Sequence, residues 1–205
     1  MISGTGRIDL PALLTAAKSI QDALDMHGIA NCLIGGLALQ RWGEPRYTKD
    51  ADMTIVCPVG DEDRTIGLLL GIATPRMSNA AEFARERRVY LGSVGAVGID
   101  ISLGATGFES RMIEAATQFE FLPGLNLRTC SAESLVVLKT FANRGQDWVD
   151  LENIVLRQYG KLEWDTIERE LIPLLELKEE PELLQRLKTL DAKAATFLST
   201  PLSPS

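Results

Sequence analysis

The sequence holds one histidine, His27, and three cysteines, Cys32, Cys57 and Cys130, with no Cys-x-x-Cys pair among them. A histidine-rich or four-cysteine zinc site is therefore excluded, and an odd number of widely spaced cysteines reads as reduced thiols in a cytoplasmic protein. His27 sits beside Gly28 at a helix end and is read as structural. The longest apolar runs, LVVL and LLLGIA, fall far short of the ~20 residues a membrane span requires, so no membrane association is expected. The start, MISGTGRIDL, has no apolar block behind a basic segment, and no signal peptide is expected. An excess of positive charge is also missing: 21 Lys and Arg against 28 Asp and Glu give −7. With a pI near 4.9, a protein that coats nucleic acid through general positive charge is excluded, although a local basic patch is not. There is no internal repeat, and the Ser/Pro tail at 201–205 reads as frayed.

What remains is an ordinary globular composition, 45% hydrophobic and 24% charged over 205 residues, enough for one domain with a small appendage. Asp9 before Leu10-Pro11 is a helix start, followed by Leu13, Ala17, Ile20 and Leu24 at helical spacing and a stop at Gly28. A short apolar strand, 30–34, runs into Gly35-Gly36 and a second helix that ends at Trp42. Residues 50–57 alternate, with Ala51, Met53, Ile55 and Cys57 on one face and Asp50, Asp52 and Thr54 on the other, which predicts a strand. A helix over 61–73 and strands over 87–92 and 96–103 follow, then a short helix near 108–118 and an irregular extended piece over 119–129. From Ser131 onward the pattern is helical: 131–143, 146–159, 164–177, bent at Pro173, and 181–198. The order predicts an α/β (α+β) fold: a mixed sheet flanked by helices over 1–130, with a helical region over 131–200 packed on it.

The chemistry concentrates in GGLALQRWGEPRYTKDAD, residues 35–52. Two glycines between a strand and a helix offer free backbone N–H groups with no Cβ to obstruct an anion such as a triphosphate, although the same pair also suits a plain turn. Asp50 and Asp52 are one residue apart on a strand, so both carboxylates project to one face. Adjacent carboxylates repel unless a cation lies between them, and Mg²⁺ (or Mn²⁺) is the natural occupant; a solvated edge-strand face is the competing reading. Asp100 tips the balance, because it stands mid-strand between Ile99 and Ile101, where an unpaired carboxylate is costly. If the two strands are neighbours, Asp50, Asp52 and Asp100 converge on one or two metal ions.

These pieces together resemble the polymerase-β-type nucleotidyltransferase superfamily: IGG at 34–36, DAD at 50–52 and IDI at 99–101. The segment is similar to that of small bacterial nucleotidyltransferases, including the toxins of abortive-infection systems. It carries Gly35, Gly36, Ala38, Leu39, Gly43, Arg46, Thr48, Asp50 and Asp52 in order. Lys139, Ala142, Arg144, Asp147 and Asp150 approximate the family's later helix pair, and the resemblance spans about residues 30–160. It implies Mg²⁺-dependent transfer of a nucleoside monophosphate from a nucleoside triphosphate to an acceptor, with release of pyrophosphate. Gly35 and Gly36 would hold the outer phosphates, and Asp50 and Asp52 the metal. Asp100 would complete a second metal site or take the acceptor's proton. Arg46, Lys49 and Lys139 would neutralise phosphate charge, and Arg41 and the cluster at Arg85–Arg88 are further cations expected to be free to meet phosphate. The acceptor, an RNA end such as that of tRNA, a protein or a small molecule, is left open, as is a cognate antitoxin or toxin. A non-catalytic nucleotide- or protein-binding partner in a toxin–antitoxin pair is the alternative. The net charge fits the enzyme reading, because six Lys and Arg against nine Asp and Glu place −3 of it in residues 160–205, away from the proposed site.

Overall fold

The computed structural model describes residues 8–199, so the expectations for the first residues and for the 201–205 tail lie outside the described residues. Helix α1, Leu10–Met26, begins where Asp9 accepts a 2.8 Å hydrogen bond from the Ala12 N–H, with Pro11 in its first turn. Leu13, Ala17, Ile20 and Leu24 are buried along one face of it. Strand β1, Asn31–Leu33, leads into α2, Gly35–Trp42, and then β2, Asp50–Val56. There follow α3, Glu62–Ile72, β3, Thr74–Pro75, α4, Ala80–Arg87, β4, Val89–Val94, β5, Val97–Gly104, and α5, Gly107–Glu114. Strands β6, Thr117–Leu122, and β7, Leu125–Thr129, complete the sheet, and α6, Ala132–Ala142, α7, Gly145–Arg157, α8, Trp164–Lys178, and α9, Glu182–Ser199, complete the described chain.

The strands form one mixed sheet in the order β3-β4-β5-β2-β1-β7-β6. β2 and β5 run parallel, as do β1 and β7, and the other neighbours are antiparallel. α1 packs on β1, β2, β5 and β7, α4 on β4 and α5 on β2. The period-two reading of β2 places Ala51, Met53 and Ile55 in the core, fully buried with Ile99 and Ile101 of β5 and Leu13, Leu14 and Leu24 of α1. This α/β architecture agrees with the fold class read from the sequence. Three parts of it were not legible there. The expected irregular piece is the β6–β7 hairpin, turned at Gly124 with φ +78°. Its residues 117–120 are exposed on both faces, so no apolar alternation marks the strand. The helix before it ends at Glu114, short of the expected 118. Helix α4 and the two-residue strand β3 fill a stretch to which no periodic pattern assigns an element.

Contacts divide the chain into two units: residues through Ala38 with Tyr47–Cys130, and Leu39–Arg46 with the residues from Ser131 onward. A single boundary does not describe this, because the end of α2 and the loop after it count with the helices. In the second unit Ser131 caps α6 by accepting the Ser134 N–H at 3.1 Å. Val136, Leu151, Ile154, Ile167, Leu171 and Leu187 supply its buried faces. α8 continues through Pro173 to Lys178. No helix among the described residues is long and apolar enough to cross a membrane, and all three cysteines are buried and outside any disulfide.

Candidate active site

The turn from β1 into α2 is built around Gly35, whose φ of +57° lies in the left-handed region that glycine tolerates. A Cβ at Gly35 would run into the Asp52 side chain, and one at Gly36 would come within 2.8 Å of Thr48. The chain is tied to β2 here: Ile34 N–H donates to the Asp52 carbonyl at 2.9 Å, and Gly36 N–H reaches an Asp52 carboxylate oxygen at 3.5 Å. Thr48 in turn donates its hydroxyl to the Asp50 carbonyl at 3.1 Å. The two glycines therefore let α2 begin directly against the acidic strand. We expect Gly35→Ala to cost about 1–2 kcal/mol through backbone conformation alone, with the added methyl also displacing Asp52. A variant with an unchanged melting temperature would contradict this account of the turn.

The parallel register of β2 and β5 sets Asp52 opposite Asp100 and Asp50 opposite Gly98. Paired positions on neighbouring strands share a face, so the three carboxylates stand on the same side of the sheet. A cation that sequence reasoning did not single out joins them. Arg76, just past β3, pairs through Nη2 with the Asp100 carboxylate and places Nη1 3.7 Å from Asp50 Oδ1. Partial burial pushes the Asp100 carboxyl above its ordinary value, Arg76 opposes that rise, and the Asp50 charge adds to it. Apart from the Thr-Pro before it, nothing in the sequence marks Arg76, and the pairing crosses β4.

Among the described residues no three acidic, histidine or cysteine side chains form a preformed metal cage. The donor set nonetheless fits a hard divalent cation. All the candidate ligands are carboxylate oxygens, the donors Mg²⁺ prefers, and a guanidinium already stands between two of them as a positive charge. Lys49 is exposed immediately before Asp50.

The other expected phosphate cations lie elsewhere. Lys139, 4% exposed, places Nζ 2.6 Å from Asp150 Oδ2 and 3.3 Å from Asp147 Oδ1. Arg46 Nε lies 3.0 Å from Asp150 Oδ1 and its Nη2 3.1 Å from Oδ2, while Gln146 donates to Oδ1 at 3.1 Å. Arg144 Nε lies 2.7 Å from Asp147 Oδ2. Asp147 and Asp150 are three apart on α7, so both carboxylates share one helix face, and this spacing gathers the cations. In this structure Lys139 and Arg46 are thus held by aspartates within the helical unit rather than presented as free charges. Two of the three arginines at 85–88 are likewise engaged, Arg85 Nε donating to Asp63 at 2.8 Å and Arg88 pairing with Glu62 and donating to the Leu103 carbonyl, while Arg87 is exposed. Arg41 lies over the Trp42 ring, 4.0 Å from its centroid.

The family model for the nucleotidyl transferase AbiEii toxin of type IV toxin–antitoxin systems matches residues 29–195. Among solved structures, the solution structure of the antibiotic-resistance factor ANT(2'')-Ia aligns at 13% identity and a TM-score of 0.44, covering 91% of this chain and 92% of that one. The crystal structure of ANT(2'')-Ia with adenylyl-2''-tobramycin aligns at 16% identity and a TM-score of 0.43, covering 91% and 98%. An antigenic nucleotidyltransferase-like protein from Paracoccidioides brasiliensis aligns at 15% identity and a TM-score of 0.46, covering 88% and 94%. These likenesses are too distant to bear on the chemistry, and no curated protein matches the chain. The family match, by contrast, spans most of the sequence and contains Gly35, Gly36, Asp50, Asp52 and Asp100. The chain belongs to the AbiEii nucleotidyltransferase toxin family and is a nucleotidyltransferase.

Proposed function

We propose that the protein is a Mg²⁺-dependent nucleotidyltransferase that passes a nucleoside monophosphate from a nucleoside triphosphate to a hydroxyl-bearing acceptor. The observation that carries this reading is the register of β2 and β5, which sets Asp50, Asp52 and Asp100 on one face beside the glycine turn. In the reaction the acceptor oxygen bonds to the α-phosphorus, the bond from that phosphorus to the β-phosphate oxygen breaks, and pyrophosphate leaves. The residues each take a part. Asp50 and Asp52 hold the divalent cation, Mg²⁺ or Mn²⁺. Asp100, in register with Asp52, adds a third carboxylate that would complete the metal site or take the acceptor's proton. Gly35 and Gly36 bring the start of α2 close against Asp52 and Thr48, where its backbone N–H groups would hold the outer phosphates, and exposed Lys49 supplies positive charge beside Asp50. The metal, when bound, neutralises charge on the triphosphate and the leaving pyrophosphate. Arg46 and Lys139 are assigned a structural part in this reading, because Asp150 holds both.

Three buried cysteines, none in a disulfide, suit a reducing cytoplasm, where nucleoside triphosphates are available. The family context adds a cognate antitoxin as the partner in that setting. The deciding experiment supplies purified protein, Mg²⁺ and each α-labelled nucleoside triphosphate to total cell extract, then separates RNA, protein and small molecules. Label in one fraction identifies the acceptor class. Label in none, with no nucleotide bound at millimolar Mg²⁺, would leave the chain as a non-catalytic binding partner.

A further inference from the structure

Arg76 is held for a purpose the proposed reaction does not yet use. Its own N–H donates to the Leu91 carbonyl at 3.0 Å, and the preceding Pro75 pairs with Gly92, so the residue is fixed at the outer side of β4. From there the side chain crosses β4 and ends between Asp100 of β5 and Asp50 of β2. The space it enters exists because position 98 has no side chain: a Cβ there would strike the Asp50 carboxylate and lie 2.8 Å from Arg76 Nη1. All three side chains remain about a third exposed, at 33% for Arg76, 31% for Asp50 and 32% for Asp100. A pair that exposed is weak enough to be exchanged for another partner.

We infer that Arg76 is a built-in counter-cation that competes with the divalent metal for Asp50 and Asp100, and so couples metal binding to the arrival of the triphosphate. This rests on the proposed metal-dependent reaction and adds an order to it. In the free protein the guanidinium neutralises the two carboxylates, and a divalent cation arriving alone must displace it. A triphosphate arriving with the metal brings phosphate oxygens, to which an arginine fork pairs well, so the displaced guanidinium gains a new anionic partner. Metal and nucleotide then bind each more tightly in the presence of the other.

The test measures Mn²⁺ binding to the full chain by electron paramagnetic resonance, with and without a non-hydrolysable nucleoside triphosphate analogue. Wild type and Arg76→Gln are compared, with Arg76→Lys as a second variant that keeps the charge and loses the fork. Without nucleotide, Arg76→Gln is expected to bind Mn²⁺ about tenfold more tightly than wild type, the scale of one screened charge near a protein surface. The gain in Mn²⁺ affinity that the analogue produces in wild type should shrink in Arg76→Gln. An arginine with a structural part alone would lower the melting temperature and leave Mn²⁺ affinity unchanged. Equal or weaker Mn²⁺ binding by Arg76→Gln, with wild type binding normally, overturns the inference and leaves the metal site standing. If Arg76→Gln does not fold, Arg76→Lys decides: Mn²⁺ affinity unchanged without the analogue and an analogue-induced gain equal to that of wild type overturn the inference. No Mn²⁺ binding by any of the proteins, even with the analogue, overturns both the inference and the metal-dependent reaction.

Discussion

Replacing Asp52 by asparagine is expected to lower nucleotidyl transfer by about 10³-fold, or ~4 kcal/mol of barrier, the scale of losing one anionic ligand from a metal-assisted site. The substitution keeps the shape of the side chain and an oxygen for the Gly36 N–H, which lies 3.5 Å from Asp52 Oδ2 in the native protein. What it removes is charge. Asp52 stands opposite Asp100 in the β2–β5 register, and Asp50 is two residues away on the same face. Losing one of three neighbouring negative charges relieves repulsion, so the variant should melt no lower than wild type. That separation of stability from activity is the signature of a carboxylate kept for chemistry. Retention of transfer within about tenfold of wild type would remove Asp52 from the active site, whatever the melting temperature did.

The second large effect is on stability. Asp150→Ala takes away the carboxylate that receives Lys139 at 2.6 Å, Arg46 at 3.0 Å and Gln146 at 3.1 Å. Lys139 would then remain buried with Asp147 alone. Breaking a buried pair from one side costs about 3–5 kcal/mol, because a desolvated charge is left undercompensated. In a chain of this size each kcal/mol moves the melting temperature by roughly 2–4 °C. A drop of about 10 °C is therefore expected; a shift below about 2 °C would show that the cluster carries no stability of its own.

The same cluster sets an acid limit. Burial pushes both carboxyls up, yet hydrogen bonds from Arg46 and Lys139 to Asp150, and from Arg144 together with the Lys139 charge at Asp147, outweigh it and hold both below the ordinary carboxylate value. A carboxyl lowered in the folded state contributes stability that is complete above its unfolded value of about 3.9 and is lost as pH falls through the folded value. Urea unfolding of wild type should therefore weaken steeply below about pH 4, and Asp150→Ala should lose part of that steepness.

Which of these residues the sequence reveals depends on whether their partners are local. Asp9 with Ala12, Ser131 with Ser134, and the alternation along β2 are settled within a few residues, and each is readable. The three aspartates were readable as candidates for the same reason, being polar positions on strands whose other face is apolar. Their convergence could be read only as conditional on the two strands being neighbours, because it depends on β2 pairing with β5 in one register, a non-local choice. Arg76 was invisible on the same grounds: it acts across β4 from a two-residue edge strand. Lys139 was read as a cation for the triphosphate, and its enclosure by Asp147 and Asp150 was not legible because it depends on the packing of α7 against α6.

In the proposed reaction the face shared by Asp50, Asp52 and Asp100 transfers a nucleoside monophosphate. The most direct test gives purified protein and its acceptor fraction nucleoside triphosphate labelled at the α- or the γ-phosphate, with Mg²⁺ or with a chelator. The expected result is acceptor labelled from the α-position only, labelled pyrophosphate from the γ-position, and neither in the chelator or with Asp52→Asn. Acceptor labelled from the γ-position, or α-transfer undiminished by the chelator and by Asp52→Asn, would contradict it.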